Sequence, residues 1–111
     1  MKRIIIAALI CFVTVSTSAG NIRGAGATSC GTWIKERNTA LLHAQNMNWV
    51  LGFISSYNYF SYAGKNQNGV FGNAKSDAIE VWMDNYCSAN PLNLISEGAV
   101  ALNNELKRRA D

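Results

Sequence analysis

A single histidine, His43, serves the whole chain, and it stands far from any motif that would recruit it. Enzymes need groups that take a proton or attack a centre. A Ser/His/Asp set is formally countable here but has no motif around it. Gly69 and Gly72 are spaced wrongly for a phosphate cradle, and no P-loop lysine follows them. The sequence therefore points away from an enzyme and toward binding, with no cofactor. Two cysteines and one distant His43 do not make a four-ligand zinc set, so no metal is expected. No basic stripe with interleaved aromatics is present, so nucleic acid is not an expected partner. Charged residues make up only 15% of the 111 residues, against 49% hydrophobic, a globular balance rather than a disordered one. No internal repeat and no linker divides the chain, and its length fits one domain.

No apolar run is long enough to span a bilayer, which needs about twenty residues. The one pronounced run, from Ile4 to Val13, is about half that length. Lys2 and Arg3 precede it, and Thr14, Ser16, Thr17, Ser18 and Ala19 follow. That order is the layout of a secretory signal peptide. The reading is a cleaved segment 1–19, cut after Ala19 (Ala27 is a weaker alternative), and a single helical domain over 20–111. Bulky Ile10 ahead of Cys11 breaks the lipobox pattern, so lipidation is not expected. The exported chain is then periplasmic or secreted, without stable membrane insertion after cleavage. Lys2 and Arg3 leave with the segment, so eight basic side chains face seven acidic ones and the mature charge is +1. The basic balance of the precursor therefore says little about partners.

Cys11 also leaves, and Cys30 and Cys87 remain. Two cysteines in an exported chain of this size most often pair. The loop so closed is worth about 4 kcal/mol in the chain-entropy model, a large share for a domain with a modest core.

What is there reads as helix. Ser29 caps a short first helix through Trp33-Ile34-Lys35-Glu36-Arg37. From about Leu41 to Tyr62 no proline interrupts, and Met47, Val50, Ile54 and Tyr57 recur at helical spacing. Trp49, Phe53 and Phe60 widen that arc, while Gly52, Ser55 and Ser56 interrupt it with small side chains that would admit another helix. Residues 63–73 are rich in Gly and Asn, a loop. Val70 and Phe71 are odd inside it: either they anchor the loop in the core or they are exposed for binding. A third helix runs from about Lys75 to Ala89, capped by Ser76 or Asp77, with Asp77 and Glu80 at capping-box spacing. Its apolar face is Ile79, Trp82, Met83 and Tyr86, with Cys87 on the same side. Asp84 lies between two of these residues near the cysteine, either as a helix-face charge or bonded to a neighbouring segment. Asn90 as cap and Pro91 as first helical residue open a fourth helix through Leu92, Ile95, Ala99, Leu102 and Leu106. Lys107, Arg108 and Arg109 close it with the charge that the helix dipole favours. The expected fold is all-α, a small bundle of about four helices with one disulfide between the first and third.

Two stretches resemble the HdeA/HdeB family of periplasmic acid-stress chaperones. They are Thr28-Ser29-Cys30-Gly31-Thr32-Trp33 and Tyr86-Cys87-Ser88-Ala89-Asn90-Pro91-Leu92-Asn93-Leu94. The resemblance assigns Cys30 and Cys87 to that family's disulfide and implies an apolar surface hidden near neutral pH and exposed in acid. Asp77, Glu80, Asp84 and Glu97 are then the carboxylates whose protonation would release the fold. The middle of the chain, Trp49-Val50-Leu51-Gly52-Phe53, is similar instead to the Gly-centred helix of the Rap/Tai immunity proteins, which neutralise type VI secretion amidases. The extra cysteines usual in that group are missing. The two resemblances compete, and neither carries a binding site onto named residues. Either implies a protein partner, clients or one effector, and both leave room for a homodimer.

Overall fold

The structure is a computed structural model and describes residues 21–110. The segment 1–19, expected to be a signal peptide, lies outside the described residues. The chain is all-α, as expected: α1 (Cys30–Lys35), α2 (Ala40–Phe60), α3 (Ser76–Ala89) and α4 (Ile95–Ala110), with 3-10 turns at Gly24–Ala27 and Gly69–Phe71. Among the described residues no helix is long and apolar enough to cross a membrane.

α1 starts where the sequence places it, because the Ser29 hydroxyl accepts a hydrogen bond from the Thr32 amide at 3.2 Å. It is only six residues long and would not persist alone. Tertiary links hold it. Cys30 is disulfide-bonded to Cys87 on α3, with 4.7 Å between the Cα atoms, and both sulfurs are fully buried. Trp33, one turn on, is also fully buried.

α4 corrects the sequence reading. Pro91 does not open it: residues 90–94 form an irregular corner and the helix begins at Ile95. The cause is pairing with the opposite end of the domain. The Cys30 amide donates to the Asn93 carbonyl at 2.7 Å, the Gly31 amide to Pro91 at 3.0 Å, and the Ile95 amide to Thr28 at 2.9 Å. Ser29 and Leu94 thus form an antiparallel bridge. These bonds satisfy backbone groups that a helix would otherwise have claimed. Leu92 is left 93% exposed, off the apolar face assigned to it. Glu97 then reaches back to the Leu94 amide at 3.2 Å, half of a capping box.

The α3 cap also differs. Lys75 holds the cap position without a side-chain bond, and Asp77 accepts only from the adjacent Ala78 amide. Glu80 is engaged elsewhere. Ile79, Met83 and Cys87 are buried as expected, whereas Trp82 and Tyr86 are half-buried and stack on each other, 5.6 Å apart. α3 approaches α4 closely at Gly98, where an added Cβ would sit 2.9 Å from Met83 Cε and from the Tyr86 ring.

The core joins Trp33, Val50, Ile54, Met83, Ile95 and Leu102 from all four helices. Each such side chain contributes about 1.5–3 kcal/mol by leaving water. The loop after α2 is pinned to this core by Val70, which is 1% exposed. Its amide donates to Asn58 Oδ1 at 2.9 Å. Gly69, at φ +59°, makes that turn possible, since a Cβ there would overlap the Asn58 carboxamide.

Candidate functional site

The densest polar constellation lies one turn from the disulfide. On α3, Glu80, Asp84 and Cys87 recur at spacings of four and three and so share one side of the helix. On α1, Trp33 and Arg37 are four residues apart, and Arg37 stands just past the helix end. The cystine brings these two faces together.

Asp84 is the hub. Its Oδ1 accepts from the Trp33 indole N–H at 2.8 Å and from Arg37 Nε at 2.9 Å; its Oδ2 lies 3.1 Å from the same Nε. Arg37 Nη2 pairs with Glu80 Oε1. The buried indole thus has a partner for its only donor, as a buried tryptophan requires. Arg37, Glu80 and Asp84 keep roughly a third of their side chains in water. An isolated pair at that exposure contributes about 0–1 kcal/mol. Three groups locked to a buried indole form a network, whose members support one another's geometry.

His43, on the first turn and a half of α2, completes the cluster. Its ring meets Trp33 edge-on with centroids 5.3 Å apart. Its Nε2 is 3.3 Å from Glu80 Oε1, near enough for a charge interaction but not aligned for a hydrogen bond. Neither ring nitrogen has a hydrogen-bond partner, and the side chain is 13% exposed. Asn46, one turn further, donates to Glu36 Oε2 at 2.9 Å. The start of α2 thus meets α1 and α3 through the His43 contact with Trp33, the nearby Glu80 carboxylate and the Asn46 bond to Glu36.

The sequence-derived site residues fall as follows. Cys30 and Cys87 meet. Val70 is in the core and Phe71 is half-buried against it, so the loop anchor describes their placement, and Val70 presents no surface to a partner. Of the four carboxylates suggested for acid release, Glu80 and Asp84 come together on Arg37. Asp77 and Glu97 are occupied by backbone amides of their own helix ends. Arg37, Trp33 and His43 were not singled out as site residues. The usable signal was the spacing of Glu80 and Asp84 toward Cys87, matched by Trp33 and Arg37 counted from Cys30.

A second charged group sits on α4. Glu105 accepts from Arg108 and Arg109, each at 2.7 Å. Those hydrogen bonds hold the Glu105 carboxyl well below the usual range, at about 2, and raise Arg108 in turn. A hollow of about 650 Å³ opens beside Trp49, lined also by Thr32, Glu36 and Asn46. Trp49 is fixed there by its indole N–H, which donates to the Arg23 carbonyl at 2.9 Å, and by stacking on Phe53.

No family model, curated protein or solved structure matches this chain.

Proposed function

We propose that this chain is a small exported, non-enzymatic binding protein of the bacterial envelope, acting as an acid-stress chaperone of the HdeA/HdeB type. The observation that supports this reading is the clamp on Arg37. Two carboxylates from α3 neutralise it, and one of them also holds the Trp33 indole. Strong acid takes the charge from carboxylates. Arg37 keeps its charge, and carboxyls that have lost theirs no longer hold it by ionic attraction. The disulfide is indifferent to acid. α1 stays tied to α3, while the Glu36 bond to Asn46 weakens in the same acid and loosens the start of α2, so that the faces of Met47, Val50 and Ile54 become available to a client. Return to neutral pH restores the charges and the clamp closes again on a chain that never lost its connectivity.

The test is direct. An aggregation-prone client is brought to about pH 2.5 with and without the protein, and light scattering is followed. Suppression in acid, absent at neutral pH, is the expected result; equal scattering in both tubes rejects the reading. The Trp33 emission should shift over the same pH interval.

A second reading, inhibition of a toxin delivered between bacteria, is favoured by one feature. Tyr59 and Phe60, 83% and 81% exposed, form an edge-to-face pair at the end of α2. Large rigid aromatics of this kind suit one tight partner. This reading expects a neutral-pH complex with a single effector, and a genome neighbourhood without secretion genes counts against it.

A further inference from the structure

The loop between α2 and α3 carries the only Asn-Gly pair of the chain, Asn68-Gly69. A side-chain amide there stands one residue ahead of a backbone nitrogen that no Cβ shields. When the Gly69 nitrogen reaches the Asn68 carboxamide carbon, a cyclic imide closes. A bond forms between Gly69 N and Asn68 Cγ, the Cγ–Nδ2 bond breaks, and the Gly69 amide proton leaves with Nδ2 as ammonia. Water then opens the imide at either carbonyl. One opening gives aspartate. The other gives isoaspartate, in which the main chain runs through Cβ.

The folded loop keeps these atoms apart. Asn68 has a ψ of 11°, which sets the Gly69 nitrogen beside the amide nitrogen of Asn68 itself and away from its side chain. The Gly69 N–H is occupied, donating to the Asn66 carbonyl at 3.0 Å. The Asn68 carboxamide is held the other way, its Nδ2 donating to the Gly72 carbonyl at 3.3 Å. The Asn68 amide donates to Asn66 Oδ1 at 2.9 Å. Val70 fastens the turn from beneath, 1% exposed and with its amide on Asn58.

We propose that Asn68-Gly69 is a site of spontaneous deamidation, which the docked loop suppresses and whose isoaspartyl product undocks that loop from the core. Gly69 lies at φ +59° so close to Asn58 that even a Cβ would overlap its carboxamide. A main chain lengthened by one carbon just ahead of it cannot be absorbed at such packing. The plain aspartate product also loses something: a donor to the Gly72 carbonyl becomes a negative charge facing it. The attacking species is the deprotonated Gly69 amide, so the reaction runs near neutral pH and not in strong acid. It reports loop opening and is independent of the acid-release reading.

The experiment holds the protein near neutral pH, once folded and once in strong urea, and follows the tryptic peptide from Asn66 to Lys75 by mass spectrometry with fragmentation. In urea residue 68 should gain the mass of an amide-to-acid exchange. In the folded chain it should do so about tenfold more slowly or less, since only the locally opened fraction reacts. Asn68→Ser, with no carboxamide, should show no such gain at that position. Isoaspartyl chains, separated by ion exchange and returned to native buffer, should melt below the parent. Equal rates in the two tubes overturn the proposal, and so does an isoaspartyl chain that melts with the parent. A chain that gains no acid at residue 68 even in urea overturns it at the first step.

Discussion

Arg37 reaches across to two carboxylates on another helix, whereas Arg108 and Arg109 reach one carboxylate on their own. The chemistry is the same and the consequences differ. Glu105 shows the large shift in acidity, yet its partners are three and four residues away and well exposed. That cluster trims the last turns of α4 and orders nothing else. The Arg37 cluster spans 47 residues of sequence and joins α1 to α3 beside the buried Trp33. A depressed carboxyl reports strong local hydrogen bonds; it does not report that distant segments are held together.

Four measurements sharpen that contrast. Reduction of Cys30–Cys87 removes the covalent form of the α1–α3 link and should cost about 4 kcal/mol, given its 57-residue separation. Thermal unfolding with and without reductant reads this directly, and an unchanged midpoint would contradict it. Next comes Asp84→Ala, which strands both the Trp33 N–H and Arg37. It should cost about 2–4 kcal/mol by urea unfolding, and Asp84→Asn, which keeps an acceptor for the indole, should cost less. Arg37→Lys keeps a charge but cannot serve two carboxylates in a fixed fork; a loss of about 1 kcal/mol is expected. Smallest is Glu105→Gln, because both of its pairs are exposed and screened by water: the urea midpoint should drop only slightly near pH 7 and converge with the parent's in acid. With a folded value of about 2 against an ordinary 4.5, Glu105 favours the folded state fully above pH 4.5. That contribution fades as pH falls from 4.5 to about 2, and NMR titration of its carboxyl should show the low midpoint. A Glu105→Gln variant more damaging at neutral pH than Asp84→Ala would reverse the comparison.

The helices and the disulfide were legible because their signals are local or forced. Ile79, Met83 and Cys87 repeat at helical spacing, and after Cys11 only two cysteines remain to pair. The fourth helix was read from too early a start because Asn90-Pro91 has every local mark of a helix opening. Backbone bonds from Thr28, Cys30 and Gly31 override those marks, and nothing within residues 90–95 announces them. The clamp was half legible. Asp84 stood out by its position near Cys87, but Glu80 looked like a capping partner for Asp77, and its true partner lies on another helix. A long-range ion pair leaves no trace in the spacing of either segment taken alone.

The bridge between Ser29 and Leu94 sets an order of events for a chain made from one end. The earliest part of the domain to emerge finds its hydrogen-bond partners only in the last quarter. Any chain halted before residue 91 leaves the Cys30 and Gly31 amides and the Thr28 carbonyl without these partners. Closure of this end must therefore wait until residues 91–95 have been made, and a truncation that removes them should open it.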